Sequence, residues 1–442
     1  MTSALHFPAL HRTHPRGWIN DPNGIMRVDG RWHVYFQYNP HSARHERIHW
    51  GHMSSADLAH WRPEPLGPVP RDGEADADGC WSGVGLLDRR MDPAGVPTLV
   101  YSGVDGQGDN AFSRVLVARA DRALEQLVDP GRVVAEVPPI PGLIGVRDPF
   151  VFEFEGRRWA IQGAGVRGES GVTPVILLFS CDDLEQWEYV GELLRGDDPV
   201  AAEHAPAELW ECPQLVRVGQ QWVLMLSLWY RPEVVARSTV QVNYLLGELE
   251  ADGRGCPRFH ARSGGRVDEG PDFYAPQAVV DAERDRVLLW GWSWEALSRT
   301  QAQTDAQGWA GCLTFPRVLS VEGDRLVTGF PPELTALRGA PLLIDQAGGG
   351  RSRMELSGPY RAEFQVEGPV TVDLLSADGT LTELLAHDGG GASLMIDGGI
   401  LELLPASGTG RTMRFYPSEG DRVLVRGALI GGWELGSQGA SV

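Results

Sequence analysis

The feature that most limits the fold of this chain is a repeat of about 63 residues. Asp21, Asp148 and Glu211 are each followed eleven residues later by a tryptophan, and a glycine lies two or three residues before each tryptophan. Asp148 and Glu211 are 63 residues apart, and the 127 residues between Asp21 and Asp148 are close to twice that distance. Such a period indicates one small supersecondary unit that recurs along the chain.

The 63-residue unit divides most of the chain into five parts, which start near residues 21, 84, 148, 211 and 274. The segment "PQAVVD" at Pro276 mirrors "PQLVRV" at Pro213, and "SSADLAHW" is matched 126 residues later by "SCDDLEQW". Segments such as "WHVYFQY" and "WVLMLSLW" are typical of short strands, and 55 Gly and 31 Pro leave little room for long helices. Five such units around one axis predict a five-bladed β-propeller over residues 1–330.

The sequence changes character after this repeat. Residues 331–338, within "GFPPELTALRG", are predicted to be a linker. Residues 339–442 alternate apolar and polar side chains between glycine-containing turns, which is typical of a small β-sandwich. The expected fold is all-β, with a propeller domain followed by a short C-terminal β-sandwich domain.

Composition argues against several classes of partner. The net charge of −20 repels nucleic acid and anionic membranes, so a neutral substrate is expected. The chain has no apolar run of membrane-spanning length, and its first residues lack the pattern of a secretory signal. The cysteines are widely spaced and odd in number, and they are Cys80, Cys181, Cys212, Cys256 and Cys312. We therefore expect reduced thiols, a cytoplasmic location and no metal site.

The segment "WINDPNG" has the composition of a turn, because Asn-Asp-Pro and Asn-Gly are turn-forming sequences. Its Asp21 also belongs to the repeat with Asp148 and Glu211. Equivalent residues of different blades converge at one mouth of a propeller channel, so three carboxyl groups are expected in one pocket. Burial and mutual repulsion would keep protonated and ionised carboxyls together, which suits glycoside hydrolysis. Calcium binding is the main competitor, but its ligands are usually closer in sequence.

Seven motifs appear in order along the chain, namely "WINDPNG", "FQYNP" at Phe36, "HWGHMSSADLAHW" at His49, "WSG" at Trp81, "RDP" at Arg147, "ECP" at Glu211 and "FYAPQ" at Phe273. Together they resemble glycoside hydrolase family 32, the β-fructofuranosidases that include invertases, inulinases and levanases. The resemblance covers about residues 6–338. It implies a five-bladed propeller followed by a β-sandwich, and an enzyme that needs no cofactor.

The resemblance implies a role for each acid. Asp21 would be the nucleophile, Glu211 the acid/base, and Asp148 the residue that stabilises the transition state and holds fructose hydroxyls. Amide groups grip hydroxyls, and flat rings cover the apolar face of a sugar. The residues expected to bind substrate are Asn20, Gln37, Trp81, Ser82, Arg147, Tyr274 and Trp292.

The residues next to the three acids in the sequence fit these assigned roles. Asn20 and Asn23 flank Asp21 and can donate hydrogen bonds that keep it ionised. Apolar Leu209 and Trp210 precede Glu211 and favour its protonated form. Arg147 is expected to keep the adjacent Asp148 anionic.

The expected activity is hydrolysis of sucrose or short fructo-oligosaccharides with retention of configuration, and sucrose should be preferred over its 6-phosphate. A fructosyltransferase would share every catalytic residue, and a non-catalytic fructan-binding propeller is the alternative from another class. Val84 and His45 depart from the family pattern near the expected leaving-group side, which leaves the acceptor open. The short sandwich ends in the weak strand "GALIGGWELG", whose edge a second subunit could cover to form a homo-oligomer.

Overall fold

The computed structural model describes residues 5–106, 111–169, 171–231, 233, 236, 240–347 and 351–436. Most of these residues lie in strands, as the glycine-punctuated runs of aromatic and β-branched residues predict. The strands of the first two four-stranded units are β1 (Gly17–Val28), β2 (Arg31–Asn39), β3 (His49–Ser55), β4 (Arg62–Pro63), β5 (Gly79–Asp88), β6 (Val96–Val104), β7 (Arg114–Ala120) and β8 (Leu127–Ala135).

Three further units follow. Their strands are β9 (Leu143–Phe154), β10 (Arg157–Gly168), β11 (Gly171–Ser180), β12 (Glu188–Arg195), β13 (Leu209–Val218), β14 (Gln221–Trp229), β15 (Val242–Ala251), β16 (Pro257–Arg266), β17 (Tyr274–Asp281), β18 (Arg286–Ser293), β19 (Trp309–Ala310), β20 (Cys312–Leu313), β21 (Arg317–Glu322) and β22 (Arg325–Gly329). Two short helices, α1 (Pro199–His204) and α2 (Gln301–Gln307), lie in connections. The first strands of the units, β1, β5, β9, β13 and β17, contact one another in a closed ring. The predicted five-bladed propeller is confirmed.

The segment between β18 and β21 joins the last blade to the first. β19 pairs in parallel with β1, and Gly17 lies opposite Trp309. β20 pairs with β18 within the fifth blade. Because the segment bonds to both blades, it closes the ring and supports the strand that carries Asp21.

The inner strand of each blade has a register shift in its pairing with the next strand, near the same mouth of the propeller channel. In blades three, four and five, the two residues that follow Arg147, Glu211 and Tyr274 lie opposite a single residue of the neighbouring strand. The first of these two residues has a positive φ in each case, at Asp148, Cys212 and Ala275, and the second is proline. These bulges turn the strand so that neighbouring side chains enter the channel mouth.

The C-terminal part is also all-β. A 3-10 helix covers Pro332–Leu337, and nine strands follow in one hydrogen-bonded sheet. They are β23 (Arg338–Pro341), β24 (Asp345–Ala347), β25 (Arg351–Leu356), β26 (Arg361–Leu375), β27 (Leu381–His387), β28 (Ala392–Asp397), β29 (Ile400–Pro405), β30 (Arg411–Arg414) and β31 (Arg422–Leu435).

The long strands β26 and β31 make this sheet fold back on itself. The first half of β26 pairs with β28 and its second half with β27, with a shift in register between Val366 and Val370. Side chains from both halves, including Phe364 and Val372, share one buried core. The result has the two layers expected of a sandwich, and residues 437–442 of the predicted domain lie outside the described residues.

Candidate active site

Three carboxyl groups meet at one mouth of the propeller channel. Asp21 and Asp148 lie in the bulges of β1 and β9, and Glu211 lies just before the bulge of β13. All three line one cavity of about 520 Å³. The other lining residues are Trp18, Asn20, Gln37, His45, Trp81, Ala111, Arg147, Trp229 and Trp292. Aromatic walls with a few convergent polar groups are typical of a site for a small sugar.

Asp21 is a buried carboxyl that accepts several hydrogen bonds. Asn20 donates to its Oδ1 at 3.1 Å, and Gln37 donates to its Oδ2 at 3.2 Å. The Ser82 hydroxyl also donates to Oδ2. Burial raises the pKa of Asp21 to about 6; the Ser82 hydrogen bond lowers it, and repulsion from Glu211 adds to the rise.

Asp148 has a backbone conformation that non-glycine residues adopt at a cost, with φ of 61°. Its N–H donates to Ser102 Oγ at 2.8 Å, and its Oδ2 accepts from the Cys212 N–H at 2.9 Å. Burial and then repulsion from Glu211 raise the pKa of Asp148 to about 7, against the attraction of Arg147. The cluster can therefore hold a proton near neutral pH.

The Cys212 thiol lies between two of the acids. Its Sγ is 3.5 Å from Oδ2 of Asp21 and 3.5 Å from Oδ2 of Asp148. Burial, followed by the charges of the nearby carboxylates, raises the pKa of this thiol well above its ordinary value. Cys212 is therefore a protonated donor and not a thiolate nucleophile.

Glu211 has one donor on each carboxyl oxygen. Arg147 Nε donates to Oε1 at 2.8 Å, and the Tyr274 hydroxyl donates to Oε2 at 2.7 Å. The Arg147 guanidinium also lies over the Trp229 ring, 5.3 Å from its centre. Glu211 is partly exposed, whereas Asp21 and Asp148 are buried. Of the three acids, Glu211 is thus the one most open to the cavity.

The structure corrects the expected equivalence of the three acids. Glu211 pairs with Ser227 immediately before its bulge, as Arg147 pairs with Gly163. Glu211 is therefore equivalent to Arg147, and the residue equivalent to Asp148 is Cys212. The carboxyls still converge because adjacent positions at a bulge both face the mouth.

Two expectations about the neighbours of the acids are also wrong. Arg147 does not keep Asp148 anionic: its attraction lowers the pKa of Asp148, but burial and Glu211 raise that pKa to about 7. The hydrogen bond of Arg147 goes to Glu211, because equivalent positions of neighbouring blades lie side by side. Asn23 does not donate to Asp21: its Oδ1 accepts from the Gly83 N–H at 3.2 Å, so its amide faces the second blade.

The residues predicted to bind substrate all lie at this site. Those that line the cavity are Asn20, Gln37, Trp81, Arg147 and Trp292. Ser82 and Tyr274 lie behind it and bond to Asp21 and Glu211.

Sequence reasoning did not select Trp18, His45, Ala111 or Trp229, which also line the cavity. Trp18 opens the "WINDPNG" motif, and His45 was noted only as a departure from the family pattern. Trp229 ends β14, beside the start of the strand that carries Glu211. A search of strand ends for aromatic residues would have found it.

Comparison with known proteins identifies the family. Residues 11–329 match the Glycosyl hydrolases family 32 N-terminal domain. The chain belongs to glycoside hydrolase family 32. A solved structure of the family, the beta-fructofuranosidase of Bombyx mori, superposes with a TM-score of 0.78 at 22% identity and covers 98% of this chain and 94% of that chain. The fold of the whole described chain is therefore that of family 32.

Curated relatives match about three quarters of this chain. Sucrose-6-phosphate hydrolase of Klebsiella pneumoniae is 35% identical over 347 residues, which is 76% of this chain and 69% of that protein. Sucrose-6-phosphate hydrolase of Escherichia coli is 33% identical over 339 residues, 75% of this chain and 66% of that protein. The match thus spans just under two thirds of the Escherichia coli protein.

The part of the chain that the structure describes lacks two further features. It contains no group of three or more His, Cys, Asp or Glu side chains arranged to hold a metal ion. None of its helices has the length and apolar character needed to cross a membrane.

Proposed function

We propose that this protein is a retaining β-fructofuranosidase that releases fructose from sucrose or short fructo-oligosaccharides. One observation carries the proposal: the buried Asp21 carboxyl, held by Asn20, Gln37 and Ser82, opens into the same aromatic cavity as the more exposed Glu211. An immobilised carboxylate and a nearby carboxyl with access to the leaving group are the two parts that glycoside hydrolysis needs.

The reaction runs in two steps. Asp21 attacks the anomeric carbon of the fructosyl unit while Glu211 protonates the departing glycosidic oxygen, which forms a fructosyl-enzyme. Glu211 then takes a proton from water, which attacks the same carbon and releases Asp21. Arg147 and Tyr274 hold the Glu211 carboxyl in one orientation during both steps. Two inversions at one carbon give net retention.

Asp148 is proposed to act on the sugar and not on the leaving group. Its carboxyl is fixed by the Cys212 N–H, and it would accept hydrogen bonds from fructose hydroxyls. These bonds strengthen as positive charge develops on the ring, so they stabilise the transition state more than the bound substrate.

Stereochemistry tests the mechanism. The first product from a β-fructoside, followed by NMR before mutarotation, should be β-fructose. Asp21→Asn should bind sucrose and turn it over at least about a thousandfold more slowly, since an amide cannot attack. Release of the α anomer, or near-normal turnover by Asp21→Asn, would exclude Asp21 as the nucleophile.

The choice between sucrose and its 6-phosphate is a second question, which the names of the relatives raise. Arg147 is the one arginine among the described residues that line the cavity, and it is already bonded to Glu211. We propose that neutral sucrose is the better substrate, because no lining arginine is left to pair with a phosphate. A kcat/KM at least about tenfold higher for sucrose 6-phosphate would contradict this.

Assays of the sugars released from sucrose also distinguish hydrolysis from fructosyl transfer and from simple sugar binding. A fructosyltransferase would form longer oligosaccharides at high sucrose concentration while releasing little free fructose. A fructan-binding propeller would bind sugar and release no fructose at all. Three buried, mutually repelling carboxyls are costly to keep in a site without chemistry, which favours an enzyme over a binding protein.

A further inference from the structure

Ser102 is a buried serine of the second blade that bonds to an acid of the third. It lies on β6, opposite Trp81 of the inner strand, and it is fully buried. Its Oγ accepts a hydrogen bond from the Asp148 N–H at 2.8 Å. Ser102 is not among the described residues that line the catalytic cavity. Any effect of this hydroxyl on a bound sugar must therefore pass through Asp148.

The Asp148 backbone is the part of β9 that most needs such a partner. In the bulge of β9 the pairing with β10 passes from Arg147 to Phe150, and the Asp148 N–H bonds outside its own blade. Asp148 has φ of 61°, a conformation that a residue with a side chain keeps only when its surroundings hold it there. A buried N–H without an acceptor is also costly. The Ser102 hydroxyl thus supports a strained backbone at the site.

A second hydrogen bond continues from Asp148 into the fourth blade. Asp148 Oδ2 accepts from the Cys212 N–H at 2.9 Å. Cys212 is the equivalent bulge residue of β13, with φ of 45°, and it directly follows Glu211. Two hydrogen bonds in series therefore connect Ser102, Asp148 and Cys212 across three blades. One of them fixes the Asp148 backbone and the other fixes its carboxyl.

Ser227 of the fourth blade offers an internal comparison. Ser102 and Ser227 occupy equivalent positions, because each lies opposite the last residue before a bulge, which is Trp81 or Glu211. Both serines are fully buried. The Ser227 Oγ, however, has no hydrogen-bond partner among the residues that the structure describes. The strand position itself therefore does not require a bonded hydroxyl, and Ser102 differs in its contact with the next bulge.

We propose that Ser102 is a positioning residue for Asp148 in the reaction. The inference rests on the proposed function, in which Asp148 stabilises the transition state. Without the hydroxyl, the buried N–H loses its acceptor, the bulge relaxes and the carboxyl moves relative to the fructosyl ring. The hydrogen bonds that strengthen in the transition state would then be weakened more than those to the bound substrate. A loss of this kind lowers kcat and leaves KM almost unchanged.

Steady-state kinetics on sucrose test the role with three variants of the full-length protein. Ser102→Ala should lower kcat at least about tenfold while KM stays within about twofold of the wild-type value. Ser102→Cys should give an intermediate kcat, because a thiol is a weak hydrogen-bond acceptor. Ser227→Ala is the matched control and should keep the wild-type kcat and KM. Thermal unfolding checks that each variant is folded, and Ser102→Cys decides the question if Ser102→Ala does not fold.

A crystal structure of the Ser102→Ala variant gives a readout that does not depend on turnover. The Asp148 carboxyl should be displaced, and its 2.9 Å bond from the Cys212 N–H should be lengthened or broken. The inference is overturned if Ser102→Ala keeps the wild-type kcat, if only KM changes, if Ser227→Ala lowers kcat equally, or if Asp148 has not moved. A wild-type protein that releases no fructose would instead overturn the proposed function. The position of Asp148 in the variant would still decide whether Ser102 holds it.

Discussion

His45 holds the amide that faces Asp21. Its Nε2 lies 3.1 Å from Gln37 Oε1, and the Gln37 Nε2 donates to Asp21 and Ser82. Because the amide nitrogen faces the carboxyl, its oxygen must face His45, so the imidazole proton is on Nε2. Burial lowers the pKa of His45, which keeps the ring neutral near pH 7.

Replacing His45 should therefore affect the nucleophile. His45→Leu leaves the buried Gln37 oxygen without a donor, a loss of about 1–3 kcal/mol that permits the amide to turn away from Asp21. We expect kcat/KM for sucrose to fall roughly tenfold or more, and the acidic limb of its pH profile, set by the Asp21 pKa of about 6, to move upward.

The conservative variant His45→Gln again supplies a hydrogen-bond donor to Gln37. It should return the acidic limb of the pH profile to its wild-type position. His41→Leu, on the same segment but outside the cavity, is the control and should match the wild-type protein. If His45→Leu changes only KM, His45 contacts substrate without positioning Gln37.

The Asp148 carboxylate is expected to lower the stability of the folded protein above neutral pH. Its pKa is about 7 in the folded protein and 3.8 in the reference state, so the fold favours the neutral carboxyl. That preference stabilises the protein fully below about pH 4 and is lost as the pH rises toward 7. Asp148→Asn should raise the free energy of unfolding at pH 8 by at least about 1 kcal/mol. This increase in the free energy of unfolding should vanish near pH 4. Denaturant titrations at pH 8 and at pH 4 can check both expectations.

The strands that carry the site were predictable, and their bulges were not. The 63-residue spacing gave the five blades because each blade is one repeat of the same four strands. The spacing could not tell Glu211 from Cys212, since a bulge moves a side chain to a neighbouring position without changing the period. The Arg147–Glu211 contact was missed for the same reason.

Gly311 lies between β19 and β20, in the segment that closes the ring. It has φ of 67°, and a Cβ there would lie 1.9 Å from the Ile19 carbonyl oxygen. Gly311→Ala would push the β19–β20 segment away from β1, which carries Asn20 and Asp21. We expect a loss of at least about 3 kcal/mol in the free energy of unfolding and a lower kcat.

Gly308→Ala is the matched control for this change. Gly308 also has a positive φ, 76°, but a Cβ there would meet nothing within 4 Å. Its cost should be about 1 kcal/mol, with kcat unchanged. Equal effects of the two variants on unfolding would show that backbone strain alone, and not the contact with β1, explains the loss.

The N-terminal segment connects the two parts of the molecule through buried charges. The His11 ring lies 2.9 Å from Asp397 Oδ2 and 3.1 Å from Glu402 Oε1. Arg317 of the propeller bonds to Glu402 and to Asp268. His11 is 386 and 391 residues away from Asp397 and Glu402, and Arg317 is 85 residues away from Glu402. None of these pairs follows the repeat, so the sequence gives no signal for them.

This junction should make stability depend on pH. Burial alone would lower the pKa of His11, but its hydrogen bonds to Asp397 and Glu402 outweigh that and raise the pKa above 6.5. A raised histidine pKa stabilises the fold fully below about pH 6.5 and loses that stabilisation as the pH rises through the folded-state value. The apparent Tm of the wild-type protein should therefore fall as the pH rises from about 6.5, and His11→Gln should show a smaller fall.

His14→Gln is the control, because burial lowers the pKa of His14 to about 4, so its contribution to stability changes only in acid. Parallel Tm curves for the wild-type protein and His11→Gln above pH 6.5 would mean that His11 is not charged in the folded protein.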